Sequence, residues 1–466
     1  MKKTVVLDVV GLTHGLIGEH TPFIRSFMEK GRSVTITPVL PAVTCTAHAT
    51  YLTGKTPAEH GAVGNGWYFK DEHEVKFWRQ SNTLVQADKI WDNLKKKDSN
   101  FTCANFFWWF NMYSGVDYSV TPRPNYLADG RKIPDVYSHP AELRDMLQEE
   151  LGTFPLFNFW GPKTSIKSSQ WIADAAIKTD KLHDPTLTLV YLPHLDYNMQ
   201  RHGTDQNLIG KDLREIDGVV KQLVEHYQQK KDTNIILLSE YGITDVSRPI
   251  HLNRILRKEG YINIRMERGL ELLDAGASDA FAVADHQVAH VYVKDPALKP
   301  KVKALLEQVE GVEKVLADEE IEKANLNHDR SGDLVVLADK DSWFSYYFWL
   351  DDKKAPDYAR MVDIHKKPGY DPVEMFTDPK DKLVMLKVIW KLLKKKLGFR
   401  TVLDIIPLDA NLIKGSHGRT PENREDYPIL ISNNTELDLP VTMDATDVCG
   451  VLERYVLGPW TKDHGN

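Results

Sequence analysis

Leu187-Thr188-Leu189-Val190-Tyr191-Leu192, then Leu213, Ile216, Val220, Leu223 and Tyr227 at helical spacing, then Ile235-Ile236-Leu237-Leu238: the reading of this stretch decides the fold. Two short apolar runs without polar alternation read as strands covered on both faces, and the stripe between them, interleaved with charges, reads as an amphipathic covering helix. Strand, helix, strand in that order favours a parallel pair, because an antiparallel return needs only a hairpin. Val5-Val6-Leu7, ended by Asp8, is a further run of the same kind near the amino terminus. The expected class is therefore α/β, a central mostly parallel sheet sandwiched by helices.

Working outward, Thr21-Pro22 supplies an N-cap followed by proline at the first helical position, Phe23/Phe27 and Ile24/Met28 are i,i+4 apolar pairs, and Gly31 ends that helix. Residues 67–171 are rich in Pro, Asn and aromatics and read as loops and short helices over the sheet. Within 256–379 the pattern changes to strands Val288–Val293 and Leu334–Leu337 around a helix carrying Val302, Leu305, Leu306 and Val309. That segment is expected to be an inserted α+β cap on a catalytic core formed by 1–255 and 380–466. A long helix from Leu383 to Leu397 is stopped by Gly398; its Lys387, Lys391 and Lys394 to Lys396 read as a solvated basic face. The aromatic runs Phe106 to Phe110 and Trp343 to Trp349 read as core.

With 466 residues, 42% hydrophobic and 27% charged, the chain buries a large core. A formal net charge of -7 argues against binding a nucleic acid polymer or an anionic membrane through net charge. No apolar window reaches the roughly 18 residues of a membrane span, and the apolar run broken at Asp8 is too short for a secretory signal. Cys45, Cys103 and Cys449 are widely spaced without a CxxC pair, as reduced thiols are. A cytoplasmic protein acting on a small phosphorylated substrate, with a homo-oligomer left open, is the expectation.

Chemistry concentrates first in Pro41-Ala42-Val43-Thr44-Cys45-Thr46-Ala47-His48-Ala49-Thr50-Tyr51-Leu52-Thr53-Gly54. A hydroxyl at the mouth of a short helix sits in the positive field of its amino terminus, where a phosphoryl group is stabilised. A neutral threonine needs its proton removed, which a metal ion promotes; taken alone, the residue reads equally as a polar cap. Asp8, Asp196 and Glu240 each follow or close a strand, at the carboxyl-end positions that face the ligand crevice of a parallel sheet, which suggests a metal centre. Gly54-Lys55-Thr56 lacks the earlier glycine of a phosphate-binding P-loop.

Asp8, the Thr44 segment, Asn65 in His60-Gly61-Ala62-Val63-Gly64-Asn65, Asp196 and Gly415-Ser416-His417-Gly418 resemble the type I phosphodiesterase/nucleotide pyrophosphatase family of the alkaline phosphatase superfamily. The resemblance implies an alkaline-phosphatase-like sheet, Thr44 as the nucleophile that becomes phosphorylated, and Asn65 as donor to a phosphate oxygen. It also implies two divalent metal ions, zinc by resemblance. One is held by Asp8, Thr44 and a consecutive Asp-His pair matched here by Glu240 and Tyr241; the other is held by Asp196, a histidine one turn later matched by Gln200, and His417. The sequence therefore departs from the family at Glu240, Tyr241 and Gln200. The more oxygen-rich set favours Mn²⁺ or Mg²⁺, unless a nearby histidine substitutes, His251 and His365 ahead of His202, with His286 and His290 also within the set considered. The implied function is hydrolysis of a phosphodiester or pyrophosphate through a phospho-threonine. Phosphomonoester or phosphonate hydrolysis is the alternative within the superfamily, and an eroded protein that binds a phosphorylated ligand without turnover is the alternative of another class.

Overall fold

The strand run Thr4–Val9 lies at the centre of a nine-stranded sheet. From edge to edge the order is Thr442–Asp444, Arg32–Thr37, Ile429–Ser432, Asn234–Leu238, Thr4–Val9, Leu187–Leu192, Cys103–Phe106, Tyr118–Pro122 and Val136–His139. Ile429–Ser432 and Val136–His139 run against the rest, so the sheet is mostly parallel. The computed structural model describes residues 1–458 apart from 129–130, 380 and 400.

The deciding stretch folds as its pattern dictates. Leu187–Leu192 and Asn234–Leu238 flank Thr4–Val9 on either side, both parallel to it, and all three are fully buried strands. The helix Gln206–Gln228 between them turns Ile209, Leu213, Ile216, Val220, Leu223 and Tyr227 onto the sheet, each with no exposed surface. Burial of each such side chain contributes about 1.5–3 kcal/mol. The register matters for function: Asp8 pairs with Tyr191 on one side and Leu238 on the other. The chain leaving those two strands therefore emerges beside Asp8 at the carboxyl end of the sheet.

Two expectations need correction, the reading of 67–171 as loops and short helices and the cap at Thr21, while Gly31 ends its helix as expected. Residues 67–171 supply the strands Cys103–Phe106, Tyr118–Pro122 and Val136–His139 of the main sheet rather than only loops over it. These strands are short and carry buried Asn105, Ser119 and Thr121, which blurs any apolar signal. The helix Pro22–Lys30 has proline at its start, but Thr21 does not cap it; its hydroxyl accepts from the Gly18 amide, and Asp217 of the covering helix accepts from the Phe23 and Ile24 amides at 3.1 and 2.8 Å. Gly31 ends that helix without a left-handed turn; a Cβ there would lie 2.2 Å from the Ser432 carbonyl oxygen, so close approach is what requires glycine.

A second, four-stranded antiparallel sheet lies inside 256–379, in the order Ala280–Asp285, Val288–Val293, Leu334–Ala338, Val312–Ala317, with its own apolar cluster. The helix expected to reach Val309 is Lys299–Leu306. His286 and Gln287 form the turn between the first two strands, with His286 at φ 60. Phe106 to Phe110 and Trp343 to Trp349 are buried in the core. Among the described residues no helix is long and apolar enough to cross a membrane.

Candidate active site

Thr44 is the first residue of the helix Thr44–Thr53, whose residues are all buried. Its first-turn amides have no partner within the helix; one of them, Cys45 N–H, donates to Asn65 Oδ1 at 3.0 Å. Gly54, at φ 67, closes the helix in the left-handed conformation. Thr44 and His48 lie four residues apart and so share one face of the helix, the face turned toward the end of the Thr4–Val9 strand.

Asp8, His48 and Glu240 meet there, all fully buried. His48 Nδ1 accepts the Trp109 amide at 2.9 Å, which places the ring proton on Nε2; that N–H donates to Asp8 Oδ2 at 2.8 Å. Glu240 Oε1 lies 2.7 Å from the same nitrogen, off the hydrogen-bond direction. Burial opposes a charge on this ring, while Glu240 and Asp8 favour one. A second ring proton would face the Trp109 N–H head-on, and this contact assigns the neutral Nε2–H ring. A nitrogen that carries its proton cannot ligate a cation, so His48 orients the carboxylates instead. Asp8 Oδ1 and both Glu240 oxygens are buried without a hydrogen-bond partner, and burial, then Glu240, raises the Asp8 pKa well above its ordinary value. Asp8 Oδ1 and the Glu240 oxygens, at zero exposure beside the Thr44 hydroxyl, fit one hard divalent cation held by Asp8, Glu240 and Thr44.

The second position is different. Asp196 Oδ2 accepts from Gln200 Nε2 at 2.7 Å, and Asp196 Oδ1 accepts from the Tyr241 hydroxyl at 3.3 Å. Gln200 Oε1 is itself taken by the Tyr370 hydroxyl at 3.1 Å. His417 has the arrangement of a ligand, with Nδ1–H donating to the Ala42 carbonyl at 2.7 Å and Nε2 unpartnered 3.8 Å from Asp196 Oδ1. Tyr241 stacks flat on it, ring centroids 3.6 Å apart. Hydrogen bonds from Gln200 and Tyr241 thus occupy both Asp196 oxygens, and the residues present do not fit a second firmly held ion.

Thr44 Oγ1 lies 3.2 Å from the Tyr241 oxygen. Because Tyr241 donates to Asp196, its oxygen is free to accept the Thr44 hydroxyl, giving a relay from Thr44 through Tyr241 to Asp196. Burial raises the Asp196 pKa to about 7.

Asn65 is clamped by the turn-bearing second sheet: Asp285 accepts from its backbone N–H at 2.7 Å and from Nδ2 at 3.1 Å. His286 stacks between Tyr370 and His417, at 3.8 and 3.7 Å. The segment 256–379 therefore forms a wall of the site.

The structure brings Asp8, Thr44, Asn65, Asp196, Gln200, Glu240, Tyr241 and His417 into this connected cluster. The placement of His251 and His365 does not supply the missing ligand. His251 Nδ1 pairs with the Ser345 hydroxyl and stacks on Tyr347, and His365 packs against Tyr126. His48, Asp285 and Tyr370 went unread in the sequence; only His48 had a legible signal, its i,i+4 spacing from Thr44.

Comparison with known proteins agrees with this fold. The solved structure of murine ectonucleotide pyrophosphatase/phosphodiesterase 5 shares the fold, with TM-score 0.60 at 16% identity, covering 100% of this chain and 98% of that one. Phosphonoacetate hydrolase from Sinorhizobium meliloti 1021, in complex with phosphonoformate, also has TM-score 0.60, at 14% identity over 98% and 96% of the two chains. Ectonucleotide pyrophosphatase/phosphodiesterase 1 of Saccharomyces cerevisiae is 27% identical over 277 residues, 53% of this chain and 34% of its own length. Ectonucleotide pyrophosphatase/phosphodiesterase 2 of the same yeast is 24% identical over 390 residues, 72% and 69%. The chain thus spans about a third of the first relative's length and about two thirds of the second's. The family model for type I phosphodiesterase/nucleotide pyrophosphatase matches residues 4–371, from the central strand through the wall that clamps Asn65, and the chain belongs to that family.

Proposed function

We propose that the protein hydrolyses a phosphodiester or pyrophosphate bond, with Thr44 as the nucleophile. The observation that carries this reading is the placement of the Thr44 hydroxyl, which opens a buried helix beside the Asp8 and Glu240 carboxylates and 3.2 Å from Tyr241. Asp8, Glu240 and Thr44 would hold a divalent cation, whose positive charge would lower the threonine pKa and offset charge on the phosphoryl oxygens. The Thr44 proton passes to the Tyr241 oxygen while Tyr241 gives its own proton to Asp196. The freed oxygen attacks phosphorus in line, and the leaving oxygen departs with the electron pair of the broken P–O bond. Asn65, pinned by Asp285 and Cys45, points its remaining amide hydrogen at a phosphoryl oxygen. Water then attacks the phospho-threonine, its proton passing to the departed oxygen, while the proton on Asp196 returns through Tyr241 to Thr44, releasing phosphate or phosphomonoester.

A second reading, binding without turnover, has the hydrogen-bonded second metal position in its favour. One experiment separates the two: turnover of an aryl phosphodiester and an aryl phosphomonoester with Mn²⁺ or Mg²⁺ added, for wild type and Thr44→Ala. The proposal expects turnover with diester preferred, its loss in Thr44→Ala, and ³²P on Thr44 after rapid quenching. No turnover of either ester supports the binding reading, and a full rate in Thr44→Ala eliminates Thr44 as nucleophile.

A further inference from the structure

We propose that the helix Val384–Lys396 and the chain that follows it form a docking face for an anionic lipid bilayer. Leu386, Ile389, Trp390, Leu393 and Leu397 recur at i, i+3, i+4, i+7 and i+11, so they make one face. That face points outward: Leu386 is 63% exposed, Ile389 58%, Trp390 56% and Leu397 66%, whereas Val388 on the other side is buried. A covering helix turns such a stripe inward, as Gln206–Gln228 does. Exposed apolar surface of this extent marks an interaction site.

Charge selects the partner. The chain as a whole carries -7, yet residues 382–396 contain six lysines and no acidic residue. Lys387 is paired with Asp381 and Lys391 with Asp404, whereas exposed Lys394 and Lys396 lie on either side of the apolar stripe, where their long stems reach outward past it. A basic flank against an apolar face with an indole near the boundary is the arrangement of a helix lying in a bilayer interface. The shape selects a plane over a groove. After the turn at Gly398, φ 86, the apolar surface continues onto exposed Phe399, Val402 and Leu403, and Lys391 Nζ donates to the Val402 carbonyl at 3.1 Å, tying the returning chain alongside the helix. A protein groove takes a single ridge; this is a broad two-element face.

The face is also rooted near the site. The preceding turn Pro372–Met375 offers its Met375 carbonyl to Arg201, at 2.9 Å, on the helix that carries Asp196 and Gln200. The chain returns through the Ile406 amide, which donates to the Arg360 carbonyl at 3.0 Å. Docking would hold the catalytic crevice close to the membrane surface.

The test uses the full chain in flotation with vesicles of phosphatidylcholine alone and of phosphatidylcholine mixed with phosphatidylglycerol. Binding is expected to the mixed vesicles and to fall as salt rises. It should drop more than about tenfold in Lys382→Gln/Lys394→Gln/Lys396→Gln, and be lost in Ile389→Glu/Trp390→Glu. Both variants should keep the wild-type Tm and turnover of a soluble aryl phosphodiester, since no site residue changes. Absence of binding to the mixed vesicles, equal binding to phosphatidylcholine alone, or wild-type binding by either variant overturns the proposal. A concentration-dependent dimer in light scattering that disappears in Ile389→Glu/Trp390→Glu overturns it in favour of a second copy of the chain.

Discussion

Asn65 spends its backbone N–H and one side-chain hydrogen on Asp285 and its Oδ1 on Cys45, which leaves one amide hydrogen to face the phosphoryl group. Asn65→Ala is expected to slow turnover about 10²-fold, the usual cost of one oxyanion donor, with metal content unchanged. An unchanged rate would remove Asn65 from the chemistry, and a fall in bound metal would make it structural. Tyr241 and Gln200 set the metal expectation. With Asp196 saturated by their hydrogen bonds, the purified protein should hold a single divalent ion firmly, at Asp8 and Glu240, and bind another only weakly. Elemental analysis with a calorimetric metal titration checks this, and two tightly held zinc ions in the wild type would refute it. Gln200→His should raise zinc affinity at the Asp196/His417 position, because an imidazole replaces an amide committed to Tyr370.

At the scale of elements, the helix Pro22–Lys30 shows how a local signal can name the right boundary for the wrong reason. Proline placed its start correctly, but the capping acceptor is Asp217, 193 residues from Ile24 in sequence, on the helix that covers the same sheet. Asp217→Ala should therefore cost about 1–2 kcal/mol in denaturant unfolding, as loss of a cap does, whereas Thr21→Val should spare the helix amides. The reverse ranking would return the cap to Thr21. The same lesson holds for Cys103–Phe106 and Tyr118–Pro122: each is short and carries a buried polar residue, so what makes it a strand is the neighbour it pairs with.

At the scale of the molecule, buried histidines join its parts. His290, on the second sheet, donates from Nε2 to the Val63 carbonyl at 2.9 Å and accepts the Gly332 amide at Nδ1, and burial lowers its pKa to about 4. His60 accepts the Ala62 amide, donates to Thr50 on the helix Thr44–Thr53, and is lowered to about 3, again by burial. Both are neutral when folded and have an ordinary pKa near 6.5 when unfolded. Their contribution is fully present above about pH 6.5 and is lost as pH falls toward their folded pKa values, with about 3 kcal/mol at stake for His290 and about 5 kcal/mol for His60. The Tm is expected to fall between pH 7 and pH 5. His290→Gln should be less stable at pH 7.5 but lose less on acidification; an identical pH slope in the two proteins, followed by calorimetry, would remove His290 from the acid response.

The sequence by itself determined the central strands, the covering helix Gln206–Gln228 and the order of Asp8, Thr44, Asp196, Glu240 and His417. Periodicity and the carboxyl-end position of acids after strands are local properties that survive without a structure. It also displayed the three departures at Gln200, Glu240 and Tyr241, as substitutions whose effect depends on what they touch. Only the tertiary structure decided that effect. His48 enters between Asp8 and Glu240 because helix and strand end meet there, Gln200 and Tyr241 close on Asp196 because Tyr370 and His417 hold them, and Asp285 reaches Asn65 across 220 residues. The difference is physical. A pattern along the chain records which face of an element is apolar, whereas the partner of a buried polar atom is set by whichever distant segment the fold brings within about 3 Å.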